Sequence, residues 1–248
     1  MVRFPALLAE RWCLFDRLGR GRRSLDLRLG RHSLLITNEH VVHGSGPGDL
    51  MIIAGAGQHI GATGVIVDTD LDLAALQPQQ RASNGLRIQK ERPSIGEQVH
   101  TWGYPLAYNG PSPLLAVGYL AGFNPAQRSV SARIVKHYVV NAAFNPGNSG
   151  GPLFAGIEDA VVGVVVSKHA PITEWHLSAL EALKNQRSGF MYTAKDSAGQ
   201  TYEFSEGQLV GDLLQYFREI TQVVIGEAIA AEELIEFLDR NNLPWESC

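Results

Sequence analysis

Short runs of apolar and β-branched residues recur along the first two thirds of the chain, and Gly or Asn stands at most of the joints between them. Runs of this length at regular spacing, with turn-forming residues between them, are typical of β-sandwiches and β-barrels. The 26 glycines among 248 residues also suit a turn-rich β protein better than a helix bundle. The pattern therefore predicts an all-β fold. The predicted strands are 25–29, 33–37, 50–54, 64–68, 98–102, 115–120, 132–138, 153–154 and 161–167.

A polar stretch divides the predicted strands into two groups. It covers residues 77–97, where glutamine, arginine and lysine interrupt the apolar runs. Exposed polar segments of this kind commonly connect compact units of a chain. We therefore expect two β units, one over residues 1–85 and the other over residues 86–241.

Beyond Ser167 the spacing of the apolar residues changes from that of strands to that of helices. Residues 168–221 are therefore interpreted as a helical insertion within the second unit. Inside it, Ser205 and Gln208 match the pattern of a capping box, which predicts that a helix begins there. The further predicted elements are helices at 175–185, 205–220 and 231–241 and a strand at 222–229.

Charge and cysteine content exclude several classes of function. The net charge of −4 argues against a nucleic-acid partner. The two cysteines, Cys13 and Cys248, make no disulfide framework and fit no zinc-ligand spacing, so neither a metal nor a cofactor is expected. The apolar run near the N-terminus is shorter than a signal-peptide core, and no run approaches the ~18 residues of a membrane span. We therefore expect a cytoplasmic protein that does not interact with membranes, while the sequence leaves its oligomeric state open.

A glycine-rich turn around Ser149 carries the strongest chemical signal in the chain. From Asn145 to Phe154 the sequence reads Asn-Pro-Gly-Asn-Ser-Gly-Gly-Pro-Leu-Phe. A serine hydroxyl becomes a nucleophile when a neighbouring base takes its proton, and the attacked carbonyl needs N–H donors aimed at its developing charge. A Gly-x-Ser turn can direct the N–H groups of Gly147 and Ser149 into one small space, because Gly147 tolerates backbone angles that a Cβ would exclude. We therefore predict that Ser149 is the nucleophile and that these two N–H groups form the oxyanion hole.

His40 and Asp72 are the predicted partners of this serine. His40 follows a predicted strand and a polar turn, in the sequence Ile-Thr-Asn-Glu-His-Val-Val at 36–42. Asp72 opens the apolar run Leu-Ala-Ala-Leu, which would anchor a buried carboxylate against the core. Such a carboxylate holds an imidazole in one tautomer and stabilises the imidazolium. Asp68 and Asp70 lie beside it in the sequence and are expected to serve other purposes.

The order of the three residues along the chain separates two classes of hydrolase. The sequence Gly-Asn-Ser-Gly-Gly also matches the nucleophile elbow of α/β-hydrolases, in which the serine precedes the acid and the histidine. Only His169 and His176 follow Ser149, neither in a convincing strand–loop context, and the chain before it shows no βαβ alternation. The order His, Asp, Ser therefore favours a chymotrypsin-like peptidase over an esterase.

These segments resemble those of the trypsin/chymotrypsin superfamily, and most closely those of its HtrA-type (Deg) branch. The resemblance rests on Thr-Asn-Glu-His-Val-Val at 37–42, Asp-Leu-Ala at 72–74 and Asn-Pro-Gly-Asn-Ser-Gly-Gly-Pro-Leu at 145–153. It extends to residues 95–105, where a predicted strand leads to Gly-Tyr-Pro, and to 226–230 before the last predicted helix. No PDZ domain is recognised in the chain.

The resemblance implies two six-stranded antiparallel β-barrels with the catalytic site in the cleft between them, to which the helical insertion and the C-terminal helix are added. It implies a serine endopeptidase that cleaves a protein or peptide through an acyl-enzyme and uses no cofactor. It also implies that substrate binds as an extended strand along one sheet edge, beside a specificity pocket. The residues that it assigns to substrate binding are Ala143, Phe144, Val166, Ser167, Lys168, Ile225 and Glu227.

Two features leave alternatives open. The insertion 168–221 separates strands that the family joins by a short loop, so it would lie beside the cleft, either as a lid or exosite that restricts protein substrates or as a surface decoration. The carboxylate of Glu227 would favour Lys or Arg in the specificity pocket if it faced the pocket, and would not if it faced solvent. Two interpretations of function follow: an active endopeptidase restricted to a dedicated protein substrate, or a catalytically silent protease-fold module that binds a protein partner.

Overall fold

The fifteen strands and four α-helices below come from a computed structural model of the chain. It describes residues 13–16, 27–29, 34–54, 58–80, 85–105, 108, 113–127, 133–145, 147–156, 160–168, 174–195, 199–220 and 225–248. The strands are β1 (Cys13–Asp16), β2 (Leu27–Leu29), β3 (Leu34–Thr37), β4 (Leu50–Ala54), β5 (Gln58–Asp68), β6 (Leu73–Pro78), β7 (Arg87–Ile88), β8 (Gln98–Gly103), β9 (Leu114–Gln127), β10 (Ile134–Val140), β11 (Pro152–Ala155), β12 (Ala160–Lys168), β13 (Met191–Lys195), β14 (Thr201–Ser205) and β15 (Gly226–Ala230). The helices are α1 (Glu39–Val42), α2 (Glu174–Asn185), α3 (Glu206–Ile220) and α4 (Ala231–Arg240), with a 3-10 turn at Pro47–Asp49.

The first sheet contains six antiparallel strands in the order β1-β4-β5-β6-β3-β2. Its inner side chains are those that the alternating and apolar runs predict, and they form a buried cluster around Leu35, Ile52 and Leu76. Strand β3 pairs with β6, with Thr37 opposite Ala74. This register matters for the site, because the residues that follow Thr37 meet those that precede Leu73.

The second sheet contains seven strands in the order β11-β8-β9-β10-β15-β12-β7. An additional pairing of β11 with β12 closes six of these strands into an antiparallel barrel, and β7 joins β12 in parallel. Strand β9 runs through residues 121–127, beyond the predicted 115–120, because its pairing with β10 continues there. The turn-forming residues Gly122, Asn124 and Pro125 hid this extension from the sequence pattern.

One buried cluster joins the two sheets and the last helix. Ile36 and Leu73 of the first sheet belong to it together with Val164 and Val166 of the second. Helix α4 contributes three large apolar side chains, Leu234, Phe237 and Leu238, and each such burial stabilises the fold by about 1.5–3 kcal/mol. The predicted all-β fold with antiparallel sheets and a C-terminal helix is confirmed by this architecture.

The insertion forms a compact unit of its own, Ala170–Gln222. It contains α2, the hairpin β13–β14 and α3. The predicted capping box is confirmed, because the Ser205 N–H donates to Gln208 Oε1 at 2.9 Å and the Gln208 N–H donates to Ser205 Oγ at 3.2 Å. The hairpin was not predicted, because every side chain of β13 is exposed and no alternation of apolar residues marks it.

The remaining differences from the predicted elements are small. The strand expected at 222–229 is described over Gly226–Ala230. The first residues of the strands predicted at 25–29, 33–37, 132–138 and 222–229 lie outside the described residues. Among the helices that the structure describes, none has the length and apolar character needed to cross a membrane.

Candidate active site

The β3–β6 register brings His40 and Asp72 together across 32 positions of sequence. His40 lies in α1, directly after β3, and Asp72 lies directly before β6. The imidazole Nδ1 is 2.8 Å from Asp72 Oδ2 and 3.0 Å from Oδ1. The backbone N–H of His40 also donates to Oδ1 at 3.0 Å. The carboxylate is therefore bound to both the backbone and the side chain of the same histidine.

The Asp72 carboxylate is buried, whereas the imidazole of His40 faces solvent in part. Asp72 is 2% exposed, and the side chain of His40 is 34% exposed. The run Leu73–Leu76 that was expected to anchor the carboxylate is buried in the core. A carboxylate that accepts from one ring nitrogen fixes that nitrogen as the donor, so the other nitrogen of the neutral ring is an acceptor.

Asp68 has another use, as expected for one of the neighbouring carboxylates. Its Oδ1 accepts the N–H of Leu71 at 3.0 Å, which closes the turn between β5 and β6. Its Oδ2 pairs with the guanidinium of Arg240 at the end of α4. Asp68 therefore ties the C-terminal helix to the first sheet.

The turn that carries Ser149 is fixed to β12 by backbone hydrogen bonds. The Gly150 N–H donates to the carbonyl of Val165 and the Val165 N–H donates to the carbonyl of Gly151, both at 2.8 Å. Gly147 has a φ of 99°, a left-handed conformation that side chains rarely adopt. Sequence reasoning required glycine here for that reason, and the structure has the residue in this conformation.

The hydroxyl of Ser149 donates to the carbonyl of Val166 at 2.5 Å. A serine carries a single hydroxyl hydrogen, so this bond and a bond to the imidazole cannot use it at the same time. Val166 belongs to the buried cluster that also contains Leu71 and Leu73, the two residues that flank Asp72. Val166, whose carbonyl accepts the serine hydroxyl, therefore packs in the same cluster as the two sequence neighbours of Asp72.

The predicted oxyanion donors are placed in the same turn. Asn148, Gly150 and Gly151 donate their N–H groups within the protein. Within the described part of the chain, no backbone carbonyl accepts the N–H of Gly147 or Ser149. Two neighbouring backbone donors in one turn suit an anionic oxygen of a ligand.

The side chains assigned to the specificity pocket fall on two faces of β15. Phe144 is fully buried and its ring lies against Gly226, in one cluster with Ala228. Glu227 points to the opposite face, where Asn124 Nδ2 donates to it at 3.0 Å and His137 Nδ1 lies 3.3 Å away. The carboxylate therefore has partners within the protein, on the face of the strand away from Phe144. Ala143 is half-buried and Ile225 is exposed.

The strand assigned to substrate binding has a partner on one side over Val166–Lys168. There β15 pairs with it, with Ser167 opposite Glu227 and Lys168 opposite Gly226. Strand β11 pairs only with its earlier part, up to Val164. Among the described strands, none pairs with the second edge at 166–168, where the Val166 carbonyl accepts the Ser149 hydroxyl.

Two further polar residues near the site were not assigned a role from the sequence. Asn38 is fully buried, and its Nδ2 donates to the carbonyl of Asp72 at 3.1 Å. Glu39 is buried and its Oε1 lies 2.5 Å from Nδ1 of the exposed His43. The i,i+4 spacing of Glu39 and His43 could have indicated their pairing. Nothing in the sequence indicated the contact of Asn38, which depends on the register of β3 and β6.

In the part of the chain that the structure describes, no three His, Cys, Asp or Glu side chains come together as metal ligands.

Sequence comparison identifies the family of the chain. A family model described as a trypsin-like peptidase domain matches residues 26–164, more than half of the chain. The uncharacterized protein y4bJ of Sinorhizobium fredii is 31% identical over 150 residues, which are 56% of this chain and 21% of that protein. The chain therefore spans about a fifth of the length of this curated relative.

Solved structures show the same fold at low sequence identity. The active form of the Rv3671c protease from M. tuberculosis has a TM-score of 0.61 and 17% identity, with 100% of this chain and 91% of that chain covered. The HtrA-type protease AlgW with tripeptide has a TM-score of 0.59 and 18% identity, with 96% of this chain and 62% of that chain covered. Because the family model covers more than half of the chain and the fold agrees with it, the protein belongs to the family of trypsin-like peptidase domains.

Proposed function

We propose that the protein is a serine endopeptidase in which Ser149 is the nucleophile, His40 the general base and Asp72 its orienting carboxylate. The observation that carries the proposal is the bidentate contact of a buried carboxylate with His40 Nδ1. That contact leaves the other ring nitrogen as the acceptor that a serine hydroxyl needs. The substrate is a protein or peptide. The reaction needs no cofactor, since it is an acyl transfer to a hydroxyl and then to water.

Acylation begins when the Ser149 hydroxyl turns from the Val166 carbonyl towards the imidazole. Ser149 Oγ attacks the carbonyl carbon of the scissile peptide bond while His40 Nε2 takes the hydroxyl proton. Asp72 stabilises the imidazolium so formed. The C–N bond breaks as the imidazolium gives its proton to the leaving amine, and the acyl group remains on Ser149. A water molecule then attacks the ester, again through His40, and restores the serine.

The negative charge on the attacked oxygen is received by the N–H groups of Gly147 and Ser149. Preorganised donors of this kind are worth about 10²–10³ in rate for each donor removed. The turn that carries these two donors is held in place, because Gly150 and Gly151, which follow the serine, form backbone hydrogen bonds with Val165 of β12. The donors therefore keep their direction while the charge develops.

Substrate is proposed to bind as an extended strand on the second edge of β12 at 166–168. Main-chain hydrogen bonds to such an edge give affinity that does not depend on side chains. The ring of Phe144 lies against Gly226. If these residues line the proposed specificity pocket, the ring narrows that pocket, so we expect small apolar side chains at the cleavage position. A peptide library that varies this position would test the preference, and a selection of Lys or Arg would instead support a role for Glu227.

A second function is a latent or catalytically silent module that holds a protein partner in the same cleft. The bond from the Ser149 hydroxyl to the Val166 carbonyl favours it, because a serine in this state donates its proton to the backbone. A ligand N–H that takes over the Val166 carbonyl would free the hydroxyl. The two functions therefore differ in whether the hydroxyl reaches His40 without a partner.

Covalent labelling with a fluorophosphonate, read by intact mass, tests the proposed function. We expect one label on the wild type and none on Ser149→Ala, and a strong loss of rate in His40→Ala. Ser94→Ala, which removes an exposed serine elsewhere, serves as the matched control and should label like the wild type. Labelling that persists in Ser149→Ala would move the nucleophile elsewhere, and a folded wild type that takes no label would favour the latent module.

A further inference from the structure

The side chain of Asn38 is enclosed at the junction between β3 and α1. It is 0% exposed, and its Nδ2 donates to the backbone carbonyl of Asp72 at 3.1 Å. It makes no side-chain hydrogen bond that caps α1. The amide is therefore directed at Asp72 and not at its own helix.

The backbone of Asp72, whose carbonyl Asn38 binds, has an uncommon conformation. Its φ is 58°, in the left-handed region that residues with a Cβ rarely enter. This conformation turns the carboxylate back towards α1, where Oδ1 accepts the N–H of His40 at 3.0 Å. Asn38 binds the main chain of Asp72 and His40 binds its side chain. Asn38 and His40 thus hold Asp72 from two sides.

The buried amide of Asn38 contributes less to the stability of the fold than an apolar side chain of the same size would. Its Oδ1 is buried, and the described residues give it no hydrogen-bond partner. A buried polar atom without a partner opposes folding, so an apolar side chain of similar size would serve packing better. Residues with strained backbone angles cluster at functional sites, and a buried polar atom without a partner calls for an explanation of its own.

We propose that Asn38 is a positioning residue that acts through Asp72. By binding the carbonyl, it keeps Asp72 in the left-handed conformation that directs both carboxylate oxygens at His40 Nδ1. This inference rests on the proposed peptidase function. Loss of the amide N–H lets the main chain at Asp72 relax, the carboxylate leaves Nδ1, and the imidazole loses its fixed tautomer and direction.

Two variants separate the donor from the volume of the side chain. Asn38→Ala removes the amide, and Asn38→Asp keeps the size and shape but provides no N–H. We expect both to lower the maximal rate of fluorophosphonate labelling of Ser149 by about 10- to 100-fold, the cost of a misplaced catalytic group. The probe concentration at half-maximal rate stays unchanged, since Asn38 does not touch the probe. Asn241→Ala is the matched control, because it removes an Asn Nδ2 bond to a backbone carbonyl at 2.8 Å at the end of α4.

A second measurement tests whether the effect passes through Asp72. In an Asp72→Ala background, Asn38→Ala should lower the labelling rate no further, because residues that act as a unit are not additive. The Nδ1 proton of His40, followed by NMR with 15N-histidine, should move upfield in Asn38→Ala and stay in place in Asn241→Ala. Unchanged labelling in Asn38→Asp, or additive losses in the double variant, would overturn the inference while the proposed function stood. A wild type that takes no label would instead contradict the proposed function itself.

Discussion

Gly103, at the end of β8, faces the turn that carries the nucleophile. A Cβ at this position would lie 2.7 Å from Oδ1 and 3.2 Å from Cα of Asn148. Asn148 is 2% exposed and stands between the two predicted oxyanion donors, Gly147 and Ser149. We therefore expect Gly103→Ala to displace the turn and to lower the fluorophosphonate labelling rate by about 10²–10³, as the loss of an oxyanion donor does. Labelling kinetics on the folded variant check this.

The collision at Gly103 can be relieved from the other side. Asn148 Oδ1 has no hydrogen-bond partner among the described residues, so its removal costs little. Gly103→Ala combined with Asn148→Ala should therefore label faster than Gly103→Ala alone. Gly122→Ala in β9 is the matched control, because a Cβ there meets nothing within 4 Å. Equal losses in both glycine variants would contradict a specific role for Gly103.

At the scale of single residues, the sequence indicated which residues to propose for the chemistry but not which residues contact them. Ser149, His40 and Asp72 stood out because their chemistry requires particular neighbours, such as glycine at 147. The contact of Asn38 with Asp72 could not be predicted, because it depends on the β3–β6 register and on a left-handed φ. Neither property leaves a pattern in the sequence.

At the scale of elements, α4 is fixed to the second barrel by a network around Glu232. Arg92 donates to Glu232 Oε1, with Nη2 at 2.7 Å, and the Tyr138 hydroxyl donates to Oε2 at 3.1 Å. Burial opposes the charge of Glu232, but the hydrogen bonds from Arg92 and Tyr138 outweigh it, so its pKa lies below the ordinary value. Burial, together with this carboxylate, raises the pKa of Tyr138 above its ordinary value.

Glu232→Gln should make the free energy of unfolding less dependent on acid pH. The pKa of Glu232 is lower in the folded state, so its contribution is present above the ordinary carboxyl pKa of about 4.3 and is lost as pH falls through the folded pKa. We expect the wild type to exceed the variant by about 1 kcal/mol or less at pH 7, with the difference vanishing in acid. Urea unfolding at a series of pH values measures this. The exposed Glu91→Gln is the control, and a difference that grew on acidification would contradict the network.

Elements differed in how well the sequence predicted them, and the reason is burial. Helix α4 and the start of α3 were found because an apolar face and a capping box are local signals. The β13–β14 hairpin was missed because none of the side chains of β13 is buried. The length of β9 was missed because its later residues are held by pairing with β10 and not by their own preference.

At the scale of the molecule, the site depends on a cluster that the two sheets share. Ile36 and Leu73 lie beside the residues that form the His–Asp pair, and Val164 and Val166 lie beside the serine turn. The sequence alone indicated two β units, and the resemblance supplied their barrel form. Apolar contacts between segments that are distant along the chain follow no sequence period, so this shared cluster could not be derived from pattern alone.

The insertion leaves and re-enters the second barrel at one point. Lys168 at the end of β12 is paired with Gly226 at the start of β15, so the chain needs only a short turn there. A variant can therefore be made in which a Gly-Ser-Gly linker replaces Ala170–Gln222 and Ile225 is kept. A loop of this length costs little closure entropy. We expect the shortened protein to fold, with a melting temperature within about 4 °C of the full chain, a difference of roughly 1 kcal/mol or less.

The same variant separates a lid or exosite from a surface decoration. Fluorophosphonate labelling should stay at the wild-type rate, because the residues proposed for catalysis all lie outside the replaced segment. Cleavage of folded proteins should change in selectivity relative to short peptides if the insertion restricts which substrates enter, and we expect this change. Both readouts are compared with the shortened protein that also carries Ser149→Ala, which should neither label nor cleave. Identical selectivity in the full and shortened proteins would reduce the insertion to a decoration, and loss of labelling in a folded shortened protein would show that the barrels alone do not complete the site.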